Sequence, residues 1–244
     1  MSRSERRREA RQEEGGSNTL FYVLGAVAVV GVGVVAYTAG ATALSSAATE
    51  PVELEIGSDE ELVALAQGVT MGDPSAPVTI LEFGDYQCPA CGAFAIQAKP
   101  PIQQQLVNTG EAKFVFYDFP LIQIHPNAFL AARAARCAGD QGAYWEYHDQ
   151  LFRNQSRWST ANLPTSAYED YAAEVGIDEE QFSDCLNSDA FADVVTANMQ
   201  LGNRMSVSGT PTVFINAGGQ TRRLNSYDIT SIREAIESMT SGGS

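Results

Sequence analysis

Two cysteines three residues apart, Cys88 and Cys91, carry the strongest chemical signal in this chain of 244 residues. They follow an apolar run, Val78-Thr79-Ile80-Leu81, and Pro89 stands directly after the first of them. Proline suits the first position of a helix, where its missing N–H costs nothing and its fixed φ fits. Cys88 then falls at the N-cap, facing unpaired N–H groups and the positive end of the helix dipole. A thiolate is stabilised there, so its pKa drops and it can act as a nucleophile near neutral pH. Cys91 lies on the same face of the first turn, within reach of a disulfide. The pair reads as a redox-active dithiol. A zinc site would need two more ligands, and neither Cys137 and Cys185 nor His125 and His148 are spaced to supply them. A purely structural disulfide over so short a loop would restrain little of the unfolded chain.

Charge excludes one class of partner. The net charge is −15. The first 19 residues hold five Arg and four Glu, which leaves 10 basic against 26 acidic residues in the rest, a net −16. A body this acidic repels phosphate backbones, so no nucleic-acid partner is expected. Its only lysines are Lys99 and Lys113. An acidic, lysine-poor surface fits either a salt-adapted organism or an ordinary acidic secreted protein.

The elements that must position the dithiol follow in chain order. Residues 1–19 are polar and Arg-rich, without apolar periodicity, and read as a cytoplasmic tail. Leu20 to Gly40 holds 21 residues and no charge. At about 1.5 Å per residue this spans a bilayer core, giving one transmembrane helix. The Arg-rich flank places the N-terminus in the cytoplasm and the remainder outside, where disulfides persist. A cleaved signal peptide ending near Ala41-Thr42-Ala43 is the alternative. Residues 41–68 read as a tether, with a turn or two of helix over Asp59 to Ala66, and the folded domain spans 69–240. Gly68 to Pro77 reads as loop. Val78 to Phe83 is a strand. The helix from Pro89 should be kinked or interrupted at Pro100-Pro101. Phe114 to Tyr117 is a second, buried strand, so strand, helix and strand form a βαβ unit with a parallel pair. Residues of about 125–205 read as an inserted helical subdomain, its first helix ended by Gly139 and a later one capped by Asp178. Val213 to Ile215 and Arg222 to Leu224 suggest a hairpin, followed by a helix capped at Asp228.

A strand leading into Cys88-Pro89-Ala90-Cys91, a helical insertion, and Gly209-Thr210-Pro211-Thr212 before a last hairpin and helix resemble the DsbA-like thiol:disulfide oxidoreductases. The resemblance covers about Val69 to Met239. It implies an α/β thioredoxin fold with an inserted all-helical subdomain, here preceded by the transmembrane helix. It also implies that Cys88 exchanges disulfides and that Cys91 resolves the mixed disulfide. Pro211 would be cis and lie against the disulfide. Thr210 would offer its backbone to a substrate added as a strand, beside Pro89 and Ala90. Glu82 would sit beneath the disulfide and move a proton to or from Cys91; a partly exposed glutamate at the strand end is the plainer alternative. Asp85, in the loop, is expected near the surface. The chain departs from the DsbA prototype at Ala90, where the prototype has a histidine that stabilises the thiolate. An oxidant is favoured, with a reductase or isomerase, or a non-catalytic thioredoxin-like binding or chaperone module, as alternatives.

With Cys88 and Cys91 assigned to the dithiol, Cys137 and Cys185 remain. The family carries a structural disulfide there in some branches, and a 48-residue loop would give it about 4 kcal/mol in the chain-entropy model; two free buried thiols are the alternative. His125 is expected as a capping or surface histidine, with a place near the active site as the rival. His148 is expected to pack within the insertion, alongside Trp145 and Phe152. The implied partners are reduced or misoxidised exported proteins and a DsbB-like or VKOR-like membrane redox protein. No metal or organic cofactor is implied.

Overall fold

A computed structural model describes residues 49–241. The expected tail, the transmembrane run at 20–40, the first part of the tether and the last three residues lie outside them. Among the described residues no helix is long and apolar enough to cross a membrane.

Five strands form one mixed sheet: β1 (Val69–Met71), β2 (Val78–Gly84), β3 (Ala112–Asp118), β4 (Thr212–Ala217) and β5 (Gln220–Arg223), in the order β1-β3-β2-β4-β5. The β2–β3 pair is parallel, with Ile80 opposite Phe114 and Glu82 opposite Phe116, and the other pairs are antiparallel. The connection between the parallel pair is a helical run, α2, over residues 89–107. Further helices are α1 (Asp59–Leu65), α3 (Ala128–Asp140), α4 (Tyr144–Arg153), α5 (Gln155–Trp158), α6 (Thr165–Val175), α7 (Glu179–Asn187), α8 (Ala192–Arg204) and α9 (Ile229–Ser241). The chain is thus a thioredoxin fold with a helical insertion between β3 and β4.

Alternation along the central strands sends side chains to two cores. Val78 and Ile80 of β2, Phe114 and Phe116 of β3 and Val213 and Ile215 of β4 meet α2, α9 and the insertion. Phe83, Phe119 and Phe214 point the other way and meet Val207 and the partly buried Met199, Leu201 and Met205. Cys137 of α3 and Cys185 of α7 are joined by a disulfide, Cα atoms 5.8 Å apart.

Several expectations change. Pro100 and Pro101 do not break α2. The helix instead widens into π turns at Phe94–Ala98 and Gln103–Val107, and the Lys99 N–H reaches back five residues to Phe94. The wider turn absorbs the hydrogen bonds the prolines cannot make. Helix α3 runs through Gly139 to Asp140, and the reversal is made by Gly142 at φ +80°. The segment expected as loop after Gly68 contains β1, held by antiparallel pairing to β3. The second half of the expected tether is folded: Leu62 of α1 is buried against Ala197 of α8, and Val52 N–H donates to Thr196 Oγ1 at 3.1 Å.

Candidate active site

The site is built where β2 ends and α2 begins. Cys88 is the N-cap of α2 and Pro89 its first residue. The Cys88 carbonyl accepts the first helical bond, from Gly92 N–H at 3.1 Å. Both cysteines are free thiols here, Cys91 fully buried and Cys88 nearly so, while Pro89 and Ala90 are exposed. Across from them, Thr210-Pro211 is a cis peptide, and the Cys88 thiol donates to the Thr210 carbonyl at 3.4 Å. Tyr227 donates to the Pro211 carbonyl at 2.9 Å, and its ring stands edge-on against Phe94 of α2.

The two thiols are driven apart in acidity. Cys88 falls to about 5, chiefly because Cys91 donates a hydrogen bond to its ionised sulphur, with the Thr210 hydroxyl and the N–H groups of Cys91 and Ala90 adding to this against the cost of burial. Cys91 is pushed well above the usual thiol value, first by burial, then by its bond to Cys88 and the negative field of Glu82. One thiol is therefore a stable anion and the other a retained acid, which separates attacking and resolving roles.

Glu82 occupies the third inward position of β2, after Val78 and Ile80, and is buried. Neither carboxylate oxygen has a hydrogen-bond partner. Burial raises it to about 8; the Cys88 charge adds to this and Lys99 opposes it. A carboxyl poised near 8, within the field of both cysteines, can hold or take up a proton during exchange. It is buried and acts on the charge of both cysteines, unlike the partly exposed strand-end residue of the plainer alternative.

Lys99 was not singled out from sequence. It shares the inward stripe of α2 with Ala95, Ile102 and Leu106, at helical spacing, and a charge on such a stripe was the available signal. It is buried, donates to Asp149 Oδ1 at 2.6 Å, lies 3.4 Å from His148 Nδ1 and sits over the Trp145 ring. His148 is wholly buried among Tyr86, Phe116 and Phe152, and burial lowers it to about 3, so it packs as a neutral ring.

Asp85 corrects the expectation of a surface acid. It is buried and organises the active-site turn: Oδ1 accepts from Gln87 N–H at 2.7 Å, and Oδ2 accepts from Leu121 N–H at 2.8 Å. His125 Nδ1 is 2.7 Å from the same Oδ2. His125 is therefore neither a cap nor a free surface group but part of the frame around the turn. A short acid before a turn accepts its backbone N–H groups readily, which is the physical reason for both corrections.

The chain resembles known proteins along this same stretch. The thioredoxin family model matches residues 65–237. The disulfide bond formation protein D of Bacillus subtilis is 30% identical over 179 residues, 70% of this chain and 77% of that protein. The oxidised BdbD structure from Bacillus subtilis superposes with a TM-score of 0.62 at 28% identity, over 70% of this chain and 91% of that one. A Na(+)/H(+) antiporter NhaA 1 of Salinispora arenicola is 36% identical over 171 residues, but the match spans only 24% of the antiporter. The chain thus covers about a quarter of the length of such antiporter relatives. Fold, dithiol and relatives agree: the chain belongs to the DsbA-like family of thioredoxin-fold thiol:disulfide oxidoreductases.

Proposed function

We propose that the protein exchanges disulfides with substrate proteins outside the cytoplasm, acting as an oxidant. A substrate thiolate attacks Cys88 Sγ of the oxidised pair. The Cys88–Cys91 bond breaks, and Cys91 leaves with the electron pair and takes a proton, for which Glu82 is the nearby acid. A second substrate thiolate then attacks the substrate sulphur of the mixed disulfide and expels Cys88 as a thiolate. The substrate loses two electrons and two protons in all, and the dithiol gains the two electrons. No organic cofactor or metal is needed, because the cysteine pair stores the electrons itself.

The observation that carries this reading is the placement of Cys88 at a helix N-terminus, held ionised down to about pH 5. A stabilised thiolate is a good leaving group and makes the disulfide more oxidising. Thr210 and the cis Pro211 would align the substrate strand, with Pro89 and Ala90 as the exposed rim. Substrates would be reduced or misoxidised exported proteins, and a quinone-linked membrane protein of DsbB or VKOR type would restore the disulfide. Residues 20–40 would anchor the protein with its N-terminus in the cytoplasm; membrane association that survives alkaline extraction and vanishes on deleting 20–40 is the expected result, and unchanged association would refute the anchor.

The test of the activity is recovery of ribonuclease activity from the reduced, unfolded enzyme. The oxidised protein should restore it, Cys88→Ala should abolish this, and Cys91→Ala should accumulate a mixed disulfide through Cys88. Full activity of Cys88→Ala would sink the reading. Ala90, with no charge to offer the thiolate, favours a second reading as a reductase, which would show as efficient reduction of insulin instead.

A further inference from the structure

We infer that Gln155 is a positioning residue for Cys88, through which the helical insertion holds the active-site turn at the angle the thiolate needs. Gln155 opens the short helix α5, and its Nε2 donates twice, to the Tyr86 carbonyl at 2.7 Å and to the Cys88 carbonyl at 2.9 Å. These two carbonyls bracket the turn. The second is the same oxygen that accepts the first bond of α2 from Gly92. Other amides complete the attachment. Gln87 Nε2 donates to the Ser159 carbonyl at 2.6 Å, and Gln87 Oε1 accepts from Asn127 N–H at 2.8 Å. Asn127 Nδ2 in turn donates to the Ala161 carbonyl at 2.8 Å. The anchor itself is firm, because Trp158 of α5 is fully buried and donates to the Leu151 carbonyl at 2.9 Å.

The inference rests on Cys88 being the activated nucleophile. Between the cysteines, Pro89 and Ala90 bring neither charge nor a side-chain donor. The Cys88 anion depends on Cys91, Thr210 and two backbone N–H groups, and all of these act only if the first turn of α2 is held in place. Gln155 also neutralises the carbonyl of the residue that carries the charge. Without it the Tyr86 carbonyl loses this donor, the Cys88 carbonyl keeps only the Gly92 N–H, and the turn is held less tightly. Gly92 leaves room for the amide: a Cβ there would lie 3.1 Å from Gln155 Oε1.

Titration of the Cys88 thiolate by its ultraviolet absorbance, in the reduced full chain, tests this. Gln155→Ala should raise the midpoint by about one pH unit, the worth of one net hydrogen bond. Gly92→Ala, which displaces the amide without removing it, should shift it the same way by less. Asn154→Ala is the control, because the Asn154 side chain bonds back only to Gln150 of α4, and it should not move the midpoint. If Gln155→Ala does not fold, Gln155→Met, which keeps the length and loses the donor without adding a charge, takes its place beside Gly92→Ala. A low midpoint unchanged in Gln155→Ala or Gln155→Met overturns the positioning role alone. A wild-type midpoint near the ordinary value of a thiol overturns the activated nucleophile, and the positioning role with it.

Discussion

Glu82 and Cys88 titrate in opposite senses within one site, and their effects on stability oppose each other. Glu82 binds its proton more tightly folded, near 8, than at its ordinary 4.5. Its stabilising contribution is complete below about pH 4.5 and is lost as pH rises towards 8. Cys88 is depressed from 9.0 to about 5. Its contribution is complete above about pH 9 and is lost as pH falls towards 5. Cys88 cannot titrate in the oxidised protein, so in urea unfolding of that form the advantage of wild type over Glu82→Gln should fall by roughly 3–5 kcal/mol from pH 5 to 8, a difference in which the opposing gain from the depressed His148 cancels. The reduced wild type should lose less stability over that range than the oxidised one, because Cys88 gains as Glu82 loses. Reduced Glu82→Gln should gain stability as pH rises from 5 to 9, and a flat profile for that variant would contradict the assignment of Cys88. The same substitution should slow release of Cys91 from its disulfide by about a hundredfold, the usual worth of a positioned proton donor. Stopped-flow thiol exchange with Glu82→Gln measures this, and a wild-type rate would remove Glu82 from the mechanism.

The elements legible in the sequence are those whose signals are local. Pro89 marked the start of α2, and Asp178 and Asp228 the caps of α7 and α9, both aspartates accepting a backbone N–H as expected. The apolar run of β2 and the buried run of β3, with a helix between them, gave the parallel pair. What escaped were elements fixed by distant partners. Strand β1 is three residues long, too short for a pattern, and exists through β3. Helix α5 is four residues long and is held by one buried tryptophan. Asp85, Lys99 and Gln155 looked like ordinary polar residues because each has a partner 36 to 69 residues away. The resemblance to a family, not periodicity, carried the cis Pro211 and pointed to Glu82 as a residue to test. At this scale the Cys137–Cys185 bond ties α3 to α7 across 48 residues. Replacing both by alanine should cost about 2–4 kcal/mol in chemical denaturation while leaving thiol exchange intact. A loss of exchange under conditions where the variant stays folded would mean that the insertion's internal bond reaches the active site.

Taken as a whole, the molecule divides its labour. The sheet and α2 supply the helix end and buried acid that separate the two thiols. The β4 entrance supplies the cis-proline edge where a substrate strand would lie. The insertion grips the active-site turn through Gln155, Asn127 and the Ser159 carbonyl, the last two meeting Gln87. The chain beyond the first 19 residues carries 26 acidic against 10 basic residues, a charge that repels other polyanions. Because the dipeptide between the cysteines is uncharged, the direction of electron flow depends on whether backbone and neighbouring hydrogen bonds alone stabilise the thiolate enough. The most direct measurement is the reduction potential of the Cys88–Cys91 pair, equilibrated against glutathione in the intact protein. A stabilised thiolate predicts a value between about −120 and −180 mV, in the range of protein oxidants. A value near about −270 mV, where thioredoxin-type reductants lie, would contradict it.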